Sequence, residues 1–205
     1  MKNLIFAFLF CFAPIAITAA PLKVVNVGAP AINCVFNPTC TITVNDTTAN
    51  IPMSTGGTGV LKSRTFKGLP GSPADGLFAF EYLLDLRNAV GATAVSCIDS
   101  MTINFGPVVS TLNYNLDRKP DQVFVITGGG IGTIGLAAAV PTSNIKFIFA
   151  SPICSGVHGR GDAPDRKGES SFFWGMVSWN PPKLADAALH EPGGAIHHVN
   201  VRVPQ

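Results

Sequence analysis

The amino-acid sequence predicts an all-β fold: a single-domain antiparallel β-sandwich of about ten strands, with Greek-key or jelly-roll connectivity and two disulfides. Apolar residues recur at every second position in several segments, and no window of useful length repeats them at helical spacing. The chain also contains 21 Gly and 16 Pro spread along its length, with 13% charged and 47% apolar residues. Many short strands joined by tight turns produce this composition.

The stretch from Leu77 to Phe105 contains the two clearest alternations. In the first, one side holds Phe78, Phe80, Tyr82, Leu84 and Leu86, and the other holds mostly Ala79, Glu81, Asp85 and Arg87. In the second, one side holds Cys97, Met101, Ile103 and Phe105, and the other holds Ser96, Ser100, Thr102 and Asn104. Half-buried β-strands have this pattern. We expect the two strands to pair antiparallel or to face each other across the sandwich.

The first residues have the features of a secretory signal peptide. Met1-Lys2-Asn3 is a short basic start, Leu4–Ile17 is apolar and uncharged, and small residues follow. The apolar run is too short for a membrane-spanning helix. We therefore predict a signal peptide at residues 1–19 and a mature β domain at residues 20–205. We expect no membrane span after cleavage and a secreted or periplasmic location.

The remaining strands are predicted from shorter apolar or β-branched runs bounded by turn residues. They are Leu22–Val27, Thr41–Val44, Val60–Phe66, Val108–Leu112, Gln122–Thr127, Asn144–Ala150, Ser171–Trp179 and Val199–Val203. Ser171–Trp179 is apolar on both faces, which predicts a central strand covered on two sides. Leu184–Leu189 is compatible with a short helix or a strand. Asn45-Asp46 is a predicted turn, and the glycine-rich Ser54–Gly59 and the polar Ser155–Ser170 are predicted loops.

Four cysteines follow the predicted cleavage site, and an even number in an exported chain indicates disulfides. We predict a Cys34–Cys40 bond because Asn37-Pro38 lies midway between them and turns the chain back. Cys97 and Cys154 then pair with each other. The spacing contains no CxxC motif, which argues against a redox centre or a zinc knuckle.

The segment from Asn113 to Asp121 carries the candidate metal ligands. Oxygen-bearing side chains at alternate positions, namely Asn113, Asn115 and Asp117, are followed by Asp121, so the segment resembles the calcium loops of EF-hand-like and dockerin-like modules. It departs from that pattern because Asn113 replaces the first acid and Arg118 replaces the turn glycine. Calcium is the one candidate cofactor, and we expect instead that Asp117 and Asp121 cap a turn into the next strand.

A GxGxxG motif at Gly130–Gly135 follows a predicted strand. Dinucleotide binding needs a long helix after the loop and an acidic residue about 20 positions further on. Pro141 ends the following run too early, and no carboxylate lies near Ser151. We therefore predict a glycine-rich strand or bulge over Gly128–Gly135.

Two further motifs are compatible with binding but also with an ordinary surface. Arg160-Gly161-Asp162 is the tripeptide of integrin ligands and lies in the predicted polar loop. A second group, His190, Glu191, His197 and His198, could supply metal ligands across a turn, although Pro192–Gly194 interrupts the spacing that zinc hydrolases use.

The prediction of function rests on catalytic and binding motifs that the sequence does not contain. There is no GxSxG motif and no Cys–His pairing for nucleophilic catalysis, so no catalytic residue is assigned. The net charge is +2 without a basic stripe, which argues against nucleic acid or anionic membranes as partners. We expect a non-enzymatic module that binds a protein or a glycan, or assembles, at the cell surface or in the extracellular matrix. The alternatives are a glycan-active hydrolase or lyase using Glu81, Asp85 and Asp99, and a calcium-stabilised adhesion module.

Overall fold

The computed structural model describes residues 20–92, 94–109, 111–141, 144–159 and 164–205. The predicted signal peptide and the Arg160-Gly161-Asp162 motif lie outside these residues. The described part is mostly β, as predicted, and its thirteen strands exceed the expected ten. No helix in it is long and apolar enough to cross a bilayer.

Two large sheets and one small one contain all the strands of the described residues. The six-stranded sheet has the order β1 (Val24–Gly28), β7 (Val123–Gly128), β11 (Phe173–Ser178), β4 (Phe78–Asp85), β3 (Thr58–Lys67) and β2 (Asn45–Pro52). The five-stranded sheet has the order β13 (Ile196–Pro204), β12 (Pro182–His190), β6 (Cys97–Ile103), β9 (Ile145–Cys154) and β8 (Leu136–Pro141). The short strands β5 (Val90–Gly91) and β10 (Gly156–Val157) form the small sheet.

The main hydrophobic core draws side chains from both large sheets. Phe80 and Tyr82 of β4 and Trp174 of β11 belong to it, and so do Met101 of β6 and Phe147 of β9. The ring centroids of Tyr82 and Phe147 lie 6.2 Å apart, and those of Phe147 and Trp174 lie 5.8 Å apart. The two strands with the clearest alternation therefore lie in different sheets and share one core.

A helix that the sequence analysis missed covers the other face of the six-stranded sheet, which we call the outer face. Helix α1 (Ala29–Phe36) follows β1 directly, with Pro30 in its first turn. Its Ile32, Val35 and Phe36 are buried in a second core cluster. This spacing of three and four residues marks a short amphipathic helix. Ala79 and Leu83 of β4 belong to the same cluster, so β4 is buried on both faces, and the prediction that it is half-buried was wrong.

Other differences concern strand limits and direction. Thr41–Val44 is not a strand, and β2 begins at Asn45, where a turn was predicted. Neither do the described residues of Val108–Leu112 form a strand. β1 pairs with β7 in parallel, whereas the other pairs within the large sheets are antiparallel. A bulge after Ile98 shifts the alternation of β6, so Ile98 rather than Cys97 joins the core.

Several other predictions are confirmed. β11 is buried along its whole length and lies inside the six-stranded sheet, as predicted. For Leu184–Leu189 the sequence left a short helix or a strand open, and the segment lies in strand β12. The two disulfides join Cys34 to Cys40 and Cys97 to Cys154. The second links directly opposed residues of β6 and β9. It therefore ties together two neighbouring strands that lie far apart in the chain.

Candidate functional site

Three charged side chains form a row across neighbouring strands on the outer face. Asp46 of β2 lies opposite Arg64 of β3, and Arg64 lies opposite Glu81 of β4. Arg64 Nε is 3.3 Å from Asp46 Oδ1, and Arg64 Nη1 is 3.8 Å from Glu81 Oε2. Opposite charges that face each other across strands stabilise the pairing. The register of three strands thus places one base between two acids.

The side chain of Glu81 is only 1% exposed. Burial raises the pKa of its carboxyl group to about 7, against the opposing effect of the Arg64 charge and with a contribution from Asp46. Glu81 Oε2 has no hydrogen-bond partner in the described part of the chain. Near neutral pH this carboxyl can therefore be a neutral acid that donates a hydrogen bond or a carboxylate that only accepts.

Arg64 is held against an aromatic ring. Its guanidinium carbon lies 4.0 Å from the ring centroid of Phe173, which is a cation–π contact. Arg64 Nε is buried and, like Glu81 Oε2, has no hydrogen-bond partner among the described residues, since its contact with Asp46 is an ion pair without hydrogen-bond geometry. Two residues of one wall therefore each hold a buried polar atom without a hydrogen bond: Arg64 Nε, which is only ion-paired, and Glu81 Oε2.

Glu81, Arg64 and Phe173 line a cavity of about 410 Å³, which we call the Glu81 cavity, whereas Asp46 lies beside Arg64 and is not part of its lining. Its other walls come from α1, from the segment after the Cys34–Cys40 disulfide, and from β7 with its following loop. They are Ala29, Asn33, Ile42, Val44, Ile126, Gly129, Gly130 and Ile131, with Phe173 beside Arg64. The volume lies in the range of sites that bind small molecules.

Two glycines lie at or next to the Glu81 cavity: Gly129 lines it, and Gly175 lies opposite Glu81 in the sheet. Gly175 of β11 lies opposite Glu81, and a Cβ there would come within 2.6 Å of the Phe80 carbonyl oxygen and 3.1 Å of Glu81 Cγ. Gly129 has a φ of 71°, in the left-handed region that favours glycine. The prediction for Gly128–Gly135 was a glycine-rich strand or bulge. Gly128 belongs to β7, next to a register shift in its pairing with β1, and the rest of the run lies outside the strands in a loop.

Other cavities in the described residues carry less chemistry. One of about 380 Å³ and one of about 360 Å³ are lined without any ionisable side chain. Trp179, which is 66% exposed, lines the second of these rather than the Glu81 cavity. Of these three cavities, the Glu81 cavity alone contains a carboxyl group together with a guanidinium.

The predicted calcium ligands lie in a turn whose carboxylates already have partners. Asp121 is fully buried, with Oδ2 accepting the Tyr114 N–H at 2.9 Å and Oδ1 lying 2.7 Å from Lys23 Nζ. Asp117 Oδ1 accepts the Lys119 N–H at 2.8 Å, and this bond is the main cause that lowers the pKa of Asp117.

The two asparagines of this segment differ in their partners. Asn115 Oδ1 accepts the Asp117 N–H at 3.2 Å, whereas the buried Asn113 Oδ1 has no hydrogen-bond partner among the described residues. The structure thus brings Asp117 and Asn115 together in Asx-type turns. Calcium binding by Asn113, Asn115, Asp117 and Asp121 stays a prediction.

The C-terminal histidines lie in separate pairs. His197 Nε2 is 2.7 Å from Glu191 Oε1, His198 Nδ1 is 2.7 Å from Asp186 Oδ2, and His190 Nε2 is 3.2 Å from Thr102 Oγ1. No three His, Cys, Asp or Glu side chains of the described residues form a metal-binding group. The histidine group of the sequence analysis is therefore not assembled around one point.

Glu191 instead connects two chain turns. Ser54 Oγ donates to Glu191 Oε2 at 2.7 Å, and His197 contacts the other oxygen. Burial acts to raise the pKa of Glu191, but the bonds from Ser54 and His197 together lower it. In a Ser-His-acid triad the imidazole contacts the hydroxyl, whereas here the carboxylate lies between them. This arrangement suits a structural role for Glu191, which links Ser54 to His197.

The three carboxylates considered for catalysis do not share one groove. Asp85 binds Arg87, with Oδ2 2.6 Å from Nη2, and Asp99 on the other sheet accepts a hydrogen bond from Ser100 at 2.6 Å. Of these three carboxylates, only Glu81 lines one of the described cavities, and it does so together with Arg64. Sequence reasoning missed Arg64, Asp46 and Phe173 as its neighbours; the available signal was one charged residue inside the apolar run Phe78–Leu84.

Comparisons with protein-family models, curated proteins and solved structures found no match for this chain, so the site stands on its own geometry.

Proposed function

We propose that this protein is an exported, disulfide-stabilised β-sandwich that acts as a non-enzymatic binding module, and that the Glu81 cavity holds its ligand. The observation that carries the proposal is the buried carboxyl group of Glu81: the residue lines the cavity, and its Oε2 has no hydrogen-bond partner among the described residues. A buried polar atom without a partner costs free energy, and a ligand that supplies the partner recovers it.

The sandwich is supported by contacts at both sides of the main core. At one side Arg202 of β13 donates to Thr47 and Asn45 of β2, and its carbonyl accepts from Tyr82 Oη at 2.8 Å. At the other side the Leu22 N–H donates to the Ala139 carbonyl of β8 at 2.8 Å. These contacts favour two sheets stacked with their edges aligned. The two disulfides support a secreted or periplasmic location, because such bonds persist in oxidising compartments.

Binding is favoured over glycan hydrolysis because the guanidinium of Arg64 lies between the carboxyl groups of Glu81 and Asp46. Glycosidases need two carboxyl groups with the sugar and often a water between them. Arg64 lies between Glu81 and Asp46 and contacts both, so it fills the gap that the reaction requires. The exposed Trp179 lines another cavity whose described residues include no carboxylate. Partners are therefore a protein or a glycan outside the cell, bound without turnover.

A cavity-filling variant tests this function. Asn33 lines the Glu81 cavity from α1, whereas Ala31 on the same helix is exposed and does not line it. We expect Asn33→Phe to abolish binding that the wild type shows on a glycan array or a library of extracellular peptides, and the matched Ala31→Phe variant to retain it. Binding that survives Asn33→Phe would place the ligand elsewhere. Release of reducing ends from polysaccharides by the wild type would establish hydrolysis instead.

A further inference from the structure

The Glu81 cavity presents donors and acceptors side by side. Arg64 can only donate hydrogen bonds, and an ionised carboxylate can only accept them. Both residues line the cavity, and the buried atoms Arg64 Nε and Glu81 Oε2 lack a hydrogen-bond partner among the described residues. A hydroxyl group both donates and accepts, so a single hydroxyl can satisfy the guanidinium and the carboxyl together.

Ionic ligands fit this wall less well. An ammonium group would satisfy Glu81 but would lie against the positive charge of Arg64. A carboxylate or phosphate would satisfy Arg64 but would lie against Asp46 and Glu81, which stand on either side of it. The net charge of the three groups lies between zero and −1, depending on the protonation of Glu81. While Glu81 is protonated the three groups carry no net charge, so a neutral ligand avoids the cost of stripping water from a charge that they do not balance.

The remaining walls suit a compact ligand with an apolar surface. Val44, Ile126 and Ile131 supply aliphatic contacts, and Asn33 adds an amide that donates and accepts. The guanidinium of Arg64 covers the Phe173 ring, so that ring is not a free face for stacking an aromatic ligand. Carbon-bound hydrogens of a sugar ring can pack on the aliphatic side chains while its hydroxyls reach the polar wall.

We propose that the ligand of the Glu81 cavity is a neutral polyhydroxylated molecule, a sugar residue of an uncharged glycan, with one hydroxyl bridging the Glu81 carboxyl and the Arg64 guanidinium. This inference rests on the proposed binding function and names the ligand class for the same site.

Three sets of disaccharides test the ligand class against purified full-length protein with both disulfides formed. The neutral set is maltose, cellobiose and di-N-acetylchitobiose, the cationic set is the glucosamine dimer, and the anionic set is the galacturonic acid dimer. Binding is measured by calorimetry and ligand-observed NMR at pH 5 and pH 8. We expect a neutral disaccharide to bind with affinities that differ by less than about threefold between the two pH values, because a hydroxyl can donate to the carboxylate or accept from the acid.

Two substitutions of one residue separate charge from hydrogen bonding. Glu81→Gln keeps an oxygen and adds N–H donors without charge, so we expect affinity within about threefold of the wild type. Glu81→Met removes the polar atoms at similar size, and we expect a loss of about tenfold or more, which corresponds to about 1.4 kcal/mol. Ala31→Phe should bind like the wild type. Circular dichroism checks the fold, and if Glu81→Met fails to fold, Asn33→Phe replaces it as the non-binding variant.

Each contrary result has a defined meaning. Preference for the glucosamine dimer at pH 5, where its amines are protonated, that is lost in Glu81→Gln would overturn the inference in favour of a cation site. Preference for the galacturonic acid dimer, or no binding of any neutral disaccharide at millimolar concentration, would also overturn it. If another ligand still binds and Asn33→Phe blocks it, the ligand class fails while the binding function stands. If Asn33→Phe blocks no binding, the proposed function itself fails.

Discussion

Replacing Glu81 with glutamine should make the protein more stable at neutral pH, which is the reverse of the usual effect of a core substitution. The carboxyl is fully buried, and burial raises its pKa from the ordinary 4.5 to about 7. Between these pH values the folded protein holds a proton that the unfolded chain releases. Raising the pH through this window therefore favours unfolding, and little further loss occurs above pH 7.

The size of the effect follows from the same pKa values. A shift from 4.5 to about 7 corresponds to about 3 kcal/mol, at about 1.4 kcal/mol for each pH unit. Glutamine has nearly the same shape and no charge at any pH, so it does not carry this cost. We expect Glu81→Gln and wild type to differ little below pH 4.5 and to differ by about 3 kcal/mol at pH 8, with the variant more stable.

Urea unfolding at one-unit steps from pH 4 to pH 8 measures this difference, because titrations shared by both proteins cancel. A difference that stays constant across the range would refute the reasoning. It would mean that Arg64 fully compensates the Glu81 charge or that water reaches the carboxyl. A variant that is less stable at every pH would show that the glutamine amide cannot be accommodated beside Gly175.

Three further predictions use the same unfolding and melting measurements. Glu191→Gln should show the opposite pH dependence: it should cost about 2 kcal/mol at pH 7, because a buried, hydrogen-bonded carboxylate is lost, and the cost should shrink as the pH falls below the ordinary pKa of glutamate. Replacing both Cys97 and Cys154 by serine should lower the free energy of unfolding by about 4 kcal/mol, since the closed loop is long, with a sequence separation of 57. Millimolar calcium should leave the melting temperature of wild type and Asp117→Ala unchanged, because Lys23 and backbone N–H groups already pair with the carboxylates of that turn.

Each of these has a clear contrary result. A Glu191→Gln cost that persists unchanged at pH 3 would show that its hydrogen bonds do not depend on the charge. A loss well under 1 kcal/mol in the double serine variant would show that the unfolded chain keeps β6 and β9 together without the bond. A calcium-dependent rise in melting temperature that Asp117→Ala abolishes would favour the calcium-stabilised adhesion module.

The β-rich class, most strand positions and both disulfide pairs could be predicted from the sequence. An alternation such as Phe80, Tyr82 and Leu84 depends on the side-chain period of one strand, and that period is a local property of the extended backbone. The Cys34–Cys40 pair is similarly local because Asn37-Pro38 turns the chain between them. With that pair assigned, Cys97 had only Cys154 left to bond.

Helix α1 shows the limit of local patterns. Its eight residues are too few to stand out against the surrounding strands, and an isolated helix of that length is marginal in water. Burial of Ile32, Val35 and Phe36 against the six-stranded sheet stabilises it, so its existence depends on residues far away in the chain. The same burial turned β4 from a half-exposed strand into one covered on both faces.

The candidate site depended wholly on such non-local contacts. Glu81 was visible in the sequence as one of several strand carboxylates, but its burial, its raised pKa and its place between β3 and β11 depend on the register of three strands and on the layer above them. Asp46 even lay in a predicted turn. The local chain decides which way a side chain points along a strand, whereas strand order and register decide which side chains meet, because they are selected by the packing of the whole core.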